Sequence, residues 1–146
     1  MAKFQFRLNN VLNIKEKFEE QKKMELYQAN QALNVEKEKL STLIKLRDKN
    51  NDIFKNKVEK TVKIRDIREH NKTCDFYNKS IVGQNDEIEK ASNQVDTIRS
   101  ELHMALIEKK IYEKLKDHAL EQYCMEQNIS EQKVVDEIVS YKYRVQ

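Results

Sequence analysis

Apolar residues recur at heptad spacing through the second half of the chain. One series falls at every seventh position and a second series lies three residues behind it; together they are Ile67, Cys74, Ile81, Ile88, Val95 and Leu102, and His70, Tyr77, Gln84, Ala91, Ile98 and Ala105. A heptad pattern of this length is typical of a coiled coil. Beyond Ala105 the apolar positions change register, which predicts a stutter in the supercoil. The shifted positions are Ile107, Ile111, Leu115, Met125, Ile129, Val135 and Ile138.

The first half of the chain carries its own heptad frame, which does not join the frame of the second half. Its apolar members are Leu26, Ala29, Leu33, Leu40, Leu43 and Phe54, and its polar members are Glu36, Arg47 and Asn50. A denser apolar stripe comes before it, made of Leu8, Val11, Leu12, Ile14 and Phe18. Residues 55–63 interrupt the pattern, and Thr61 is a suitable N-cap for a following helix. We therefore predict a turn at about 57–63.

These patterns predict an all-α protein whose two long helices form an antiparallel coiled-coil hairpin. We expect one domain over residues 1–146, with a helix at about 4–56 and a longer second helix at about 63–143. At 1.5 Å per residue the helices would measure about 80 Å and 120 Å, so the second would extend beyond the first at the end that holds both termini. The alternative is one continuous helix that dimerises in parallel, and the break at 57–63 favours the hairpin.

Composition supports long helices and excludes several other classes. The chain has one Gly and no Pro, although average usage would give roughly 17 of the two together in 146 residues. Hairpin turns and phosphate-binding loops need glycine, so an all-β fold and a Gly-rich nucleotide loop are excluded. No apolar run approaches the roughly 20 residues that span a bilayer, and the start lacks the apolar core of a signal peptide. We expect a soluble, cytoplasmic protein.

Residues with catalytic or metal-binding chemistry are present, but their spacing fits no known site. His70, His103 and His118 have no zinc-binding context, and Cys74 lies about 75 Å from Cys124 if one helix carries both. A disulfide between them is excluded on that geometry, and we expect reduced thiols. The acidic residues alternate with Lys and Arg at i,i+3 and i,i+4, which is typical of solvated helix surface. We expect no enzymatic activity, no cofactor and no metal.

Positive charge concentrates around the predicted turn. Residues 45–72 contain ten basic and five acidic side chains, a net charge of +5 in a chain whose total is +3. Such an end can meet nucleic acid, acidic lipid or an acidic protein surface. Interleaved acidic residues and few aromatic ones disfavour nucleic acid. We interpret the region as either solvated surface or a protein-docking end.

Both ends of the chain resemble one known family. The segment FQFRLNNVLNIKE at residues 4–16 resembles the start of FliJ, the small coiled-coil component of the flagellar type III export apparatus. Towards the other end, KKIYEKLK at 109–116 and EQKVVDEI at 131–138 are similar to the family's closing block, whose core reads Gln-Lys-x-hydrophobic-Asp-Glu. The resemblance covers essentially the whole chain.

The resemblance implies a non-enzymatic protein at the centre of the hexameric export ATPase (FliI), where it promotes assembly and ATP hydrolysis. It also implies contacts with the export gate (FlhA) and with export chaperones. The implied location is the cytoplasmic face of the cell membrane at the flagellar base, reached through protein partners only.

The family's motifs also imply two sets of binding residues. The ATPase-binding candidates are Phe6, Leu8, Val11, Leu12, Gln132, Lys133, Asp136 and Glu137. The gate-binding candidates, early in the second helix, are Thr73, Tyr77, Ser80 and Gln84. Leu8, Val11 and Leu12 equally fit ordinary seam positions. Thr73 stands where the family has an aromatic residue, and Tyr77 and Gln84 fall on the predicted seam.

Three other functions remain open at this point. The protein could be an export or substrate-binding chaperone that recognises client helices through the overhanging end of its second helix. It could be the central-stalk subunit of a related injectisome or rotary ATPase. As a parallel dimer, it would instead be a purely structural protein.

Overall fold

The computed structural model describes residues 3–145, which form two α-helices, α1 (Asn9–Val58) and α2 (Ile64–Val145). No strand occurs within this range. The helices pack against each other in antiparallel direction, as contacts in each part of the molecule show below. The predicted all-α hairpin with a longer second helix is therefore confirmed, and one continuous helix is excluded.

The turn between the helices covers residues 59–63, inside the predicted range. Lys60 and Thr61 donate backbone hydrogen bonds to the carbonyl of Lys57, at 3.1 and 3.3 Å, and so satisfy an acceptor at the end of α1. The first helix thus ends with a tight turn, although glycine is absent from residues 55–63.

The N-cap of α2 is Lys63 rather than the predicted Thr61. The carbonyl of Lys63 accepts backbone hydrogen bonds from Asp66 and Ile67, at 3.0 and 3.3 Å. In return the Asp66 carboxylate accepts a hydrogen bond from the Lys63 N–H at 3.4 Å. The bond from the Lys63 N–H to the Asp66 side chain is one half of a capping box; the other half is absent, because a lysine side chain cannot accept the N–H of Asp66.

The start of α1 also differs from the prediction, because the helix begins at Asn9 and not near residue 4. The Asn9 N–H donates to the Phe6 carbonyl at 3.1 Å, and residues 3–6 before this turn are not helical. Here the Phe4 ring lies 5.5 Å from the Tyr123 ring of α2. This aromatic contact joins the non-helical segment to α2, and the sequence pattern did not reveal it.

The chain divides into two compact units, to each of which both helices contribute. Unit 1 comprises residues 1–21 and 102–146, and unit 2 comprises residues 22–101. The core is thin, as expected where each helix has a single covered face. Its buried hydrophobic residues are Leu12 and Ala105 in unit 1, and Val95 and Ile98 in unit 2.

Unit 2 follows the predicted heptad frames. The antiparallel pairing is visible in contacts of Lys22 with Glu101, Glu36 with Gln84 and Phe54 with His70, where the α2 number falls as the α1 number rises. Every predicted α1 seam residue from Leu26 to Phe54 is half-buried. The α2 seam residues of this unit are buried or half-buried except Ile67, which is exposed next to the turn.

In unit 1 the predicted stutter after Ala105 is wrong. The original heptad frame continues without a shift, and its inward-facing, half-buried positions are Lys109, Tyr112, Lys116, Ala119 and Tyr123. The shifted positions are all exposed, and Ile111 shows 51% of its surface. On α1, Ile14 and Phe18 of the predicted stripe are likewise exposed, while Lys15 and Glu19 turn inward.

Within the described residues, no helix combines the length and the hydrophobicity needed to cross a bilayer.

Candidate functional site

An ion pair occupies the seam of unit 1 where apolar residues were expected. Glu19 is only 3% exposed, and its carboxylate lies 2.6 Å from the Lys109 ammonium. One turn away along α1, Lys15 donates to Glu108 at 2.8 Å. A carboxylate can be buried when a cation and hydrogen bonds compensate the lost hydration. The hydrogen bond to Glu19 raises the pKa of Lys109 in keeping with this pairing.

These charged positions explain why the apolar residues of unit 1 point outward. Since Glu19 and Lys109 meet across the seam, the frame cannot rotate to bury Ile111 without separating them. The displaced residues form a row on α2 at three- and four-residue steps, which we name the outer stripe: Met104, Ile107, Ile111 and Leu115. An exposed apolar row on an otherwise charged helix is characteristic of a contact surface.

The C-terminal part of α2 has no cover of any kind within the described residues. Every residue from Asn128 to Val145 is exposed, and we name this segment the C-terminal extension. It nevertheless carries apolar residues at coiled-coil spacing, of which Tyr141 is 70% exposed. These residues are Val134, Ile138, Tyr141 and Val145. A heptad stripe on an unpaired helix is one half of a coiled-coil interface.

All eight predicted ATPase-binding residues lie in unit 1, in two separate places. Leu12 is buried in the seam, and Phe6, Leu8 and Val11 are half-buried. The other four are exposed on the C-terminal extension: Gln132, Lys133, Asp136 and Glu137. Only this second group is free to meet a partner without rearrangement of the helix pair. No partner is present to test either group, so the assignment remains a prediction.

The half-buried N-terminal residues line an open cleft against α2. Phe6 and Leu8 face Leu115, Ala119 and Tyr123 across a space of about 510 Å³. The cleft is mainly apolar in its lining residues, but it is open to solvent along its length. It is an incompletely packed contact between the N-terminal residues and α2, and it does not enclose a site for a small molecule.

The four predicted gate-binding residues lie in unit 2, and all are half-buried. Gln84 is engaged inside the helix pair, since its amide donates to the Glu36 carbonyl at 2.9 Å and to the Glu36 carboxylate at 2.6 Å. The latter bond, with a smaller contribution from Lys39, lowers the pKa of Glu36. Thr73 bonds to the Glu69 carbonyl of its own helix. Tyr77 and Ser80 keep partly exposed surface.

Sequence reasoning missed Phe76, which is exposed beside the predicted gate-binding residues. Its ring lies edge-on to Tyr77 at a centroid distance of 5.6 Å. Because it stands outside the heptad seam, the pattern offered no reason to single it out.

The described residues contain no group of three or more His, Cys, Asp or Glu side chains arranged to hold a metal ion. Cys74 and Cys124 are both free thiols. Cys74 Sγ lies 3.2 Å from His70 Nε2 and 3.5 Å from the Asn51 side-chain oxygen, contacts that place the thiol in the seam.

The geometry therefore defines a two-helix coiled-coil protein whose second helix ends in an uncovered segment with an apolar stripe. Comparison with family models matches the flagellar FliJ protein family over residues 4–146. This chain belongs to that family, and so it is a flagellar export-related protein. No curated protein and no solved structure matches it.

Proposed function

We propose that this protein docks through unit 1 into the ring of the flagellar export ATPase (FliI) and promotes its assembly and ATP hydrolysis. The observation that carries the proposal is the C-terminal extension, which presents a heptad stripe with nothing packed against it in the described chain. A protein of the export apparatus with such a helix end requires a partner that encloses it. A hexameric ring provides a central opening of the required kind.

The energetics favour a partner over a free helix. The extension continues α2 without a second helix against it, and most helical stability in proteins comes from packing an apolar face. Covering that face contributes about 25 cal/mol for each Å² of apolar surface removed from water. The outer stripe provides a second apolar surface in the same unit. Another protein that covers either surface would therefore stabilise the helix that carries it.

The direct test measures ATP hydrolysis by the cognate export ATPase with and without this chain. The variant Ile138→Ser/Tyr141→Ser removes two apolar residues of the C-terminal extension. We expect the hydrolysis rate with this variant to fall nearly to that of the ATPase alone. The matched control is Val35→Ser/Val82→Ser, which changes two exposed apolar residues of unit 2. Circular dichroism should show both variants helical.

Charge reversal tests the polar residues of the extension separately. Asp136→Lys/Glu137→Lys should abolish stimulation if these carboxylates meet basic groups of the ring. If stimulation is unchanged by both this variant and the Ile138→Ser/Tyr141→Ser variant, the proposed docking is wrong.

We also propose that unit 2 contacts the export gate (FlhA) through the face that holds Thr73, Tyr77, Ser80 and Phe76. Gln84 would act there by fixing the helix pair rather than by direct contact, since both its side-chain hydrogen bonds go to Glu36. Phe76→Ala should weaken binding to the cytoplasmic domain of the gate, whereas Phe76→Tyr should preserve it. Equal affinity of the alanine variant would remove Phe76 from this surface.

The role so proposed is non-enzymatic, includes binding of export chaperones, and brings the protein to the membrane at the flagellar base. A second candidate rests on the same extension, which would suit a chaperone that covers the apolar helix of a secreted client. Tight binding to a secreted flagellar protein, without any change in ATPase rate, would favour that role. Family membership supports a flagellar partner over an injectisome one.

A further inference from the structure

The strongest charged patch of the molecule surrounds the turn in unit 2. We name residues 53–68 the turn region; it contains six basic side chains and two acidic ones. The basic residues are Lys55, Lys57, Lys60, Lys63, Arg65 and Arg68, all exposed. Arg65 lies near Glu69 at 3.6 Å, but within the described range none of the other five basic side chains pairs with a carboxylate.

Helix stability explains only part of this charge. Lys55 and Lys57 lie in the last turn of α1, where a cation interacts favourably with the negative end of the helix dipole. Lys63 and Arg65 stand at the start of α2, where the dipole disfavours positive charge, and Asp66 is the only acidic residue of that first turn. Helix stability therefore does not account for Lys63 and Arg65 at this position.

Exposed apolar residues lie among these cations. Ile64, the first residue of α2, is 73% exposed, the largest value in this region, and Val58 at the end of α1 is also exposed. The two flank the turn from either side. Long lysine side chains beside exposed aliphatic residues suit the surface of a bilayer. There the apolar groups enter the boundary between headgroups and acyl chains, and the ammonium groups reach the phosphates.

We propose that the turn region binds directly to the surface of an anionic phospholipid bilayer. The chemistry disfavours single-stranded nucleic acid, because the one aromatic ring of the region, Phe54, is stacked on His70 at 3.8 Å and is not free to stack on bases. The exposed Ile64 favours a bilayer over a purely acidic protein surface, which would leave that side chain in water. This inference does not depend on docking to the ATPase.

The first test is co-sedimentation of the full chain with vesicles of phosphatidylglycerol and phosphatidylethanolamine, compared with vesicles of phosphatidylcholine alone. Each basic side chain near an anionic surface strengthens binding about fivefold. Lys57→Glu/Lys60→Glu/Lys63→Glu should therefore weaken binding by roughly a hundredfold or more. The control Lys37→Glu/Lys79→Glu/Lys90→Glu changes net charge equally on exposed positions elsewhere in unit 2 and should retain most of the binding.

A second test locates the contact by fluorescence, since the chain contains no tryptophan. A single reporter, Ile64→Trp, should shift its emission to shorter wavelength on phosphatidylglycerol vesicles. The exposed control Val82→Trp should not shift. Raising the salt concentration should release the protein, because screening reduces the attraction of exposed charges.

Three results would overturn the proposal. One is absence of binding to phosphatidylglycerol vesicles. Another is equal loss of binding in the two triple variants, which would indicate attraction by net charge alone. The third is tighter, turn-dependent binding to polyglutamate or to single-stranded DNA, which would assign the surface to a protein or nucleic-acid partner.

Discussion

At Glu19 the molecule places a carboxylate where a coiled coil normally has an apolar side chain. The pair with Lys109 sets the register of unit 1, since rotation of either helix would separate the buried carboxylate from the Lys109 ammonium. The signal for it was present in the sequence, because Lys15, Glu19 and Lys22 follow heptad spacing. A search restricted to apolar residues passes over such positions and selects Ile14 and Phe18 instead.

A double-mutant cycle tests whether the Glu19–Lys109 pair sets the register of unit 1. Lys109→Met removes the Lys109 ammonium from the buried Glu19 carboxylate, and we expect the midpoint of thermal unfolding to fall by several degrees. Glu19→Leu/Lys109→Met replaces both charges by apolar side chains of similar size and should recover most of the loss. If both variants lose equal stability, the pair does not act as a unit. Circular dichroism melts provide the measurement.

The pH dependence of stability follows from the same side chains. Hydrogen bonds to carboxylates raise the pKa of Lys15, Lys22 and Lys109 above the usual 10.5, so their contribution is complete below that pH and is lost as pH rises through the raised values. Gln84 lowers the pKa of Glu36 below 4.5, so its contribution is present above 4.5 and lost as the pH falls through the lowered value.

We therefore expect thermal stability to be nearly constant between about pH 5 and pH 10 and to decline on either side. Melting curves across this range provide the test. A decline centred near neutral pH would contradict the assignment, because none of these four groups titrates there.

At the scale of the helices, the heptad pattern predicted the fold well wherever apolar residues occupy the seam. The frame from Leu26 to Phe54 and its partner in α2 were assigned correctly, and so was the turn. The frame beyond Ala105 was not, because Lys109 and Lys116 face inward there and the apolar residues face outward. The start of α1 was also misplaced, because the Phe4–Tyr123 contact joins residues far apart in the sequence.

The single glycine of α2 offers a simple test at this scale. A Cβ added to Gly83 would meet open space, so alanine fits without any rearrangement. Gly83→Ala should stabilise the protein by about 1 kcal/mol through helix propensity alone. Chemical denaturation should show the gain as a higher midpoint with an unchanged slope. An unchanged or lower midpoint would mean that the helix at Gly83 is not regular in solution.

At the scale of the whole molecule, the family and its place in flagellar export follow from both ends of the chain, whereas the binding surfaces do not follow from sequence alone. Motif positions pointed to Leu8, Val11 and Leu12, yet the structure buries Leu12 and half-buries the other two. The unequal helix lengths predicted that the second helix extends beyond the first, but the residue from which α2 is fully exposed, Asn128, required the structure. The proposed contacts use the surfaces that each unit leaves uncovered.

The most direct test of the proposed docking is the ATP hydrolysis rate of the cognate export ATPase with the full chain and with a chain that ends at Gln127. The described residues that the truncation removes, 128–145, are all exposed, so circular dichroism and the melting temperature should change little beyond the loss of that helical segment. We predict that the full chain raises the hydrolysis rate and the proportion of hexamer, and that the truncated chain does neither. Equal stimulation by both chains would contradict docking through the C-terminal extension.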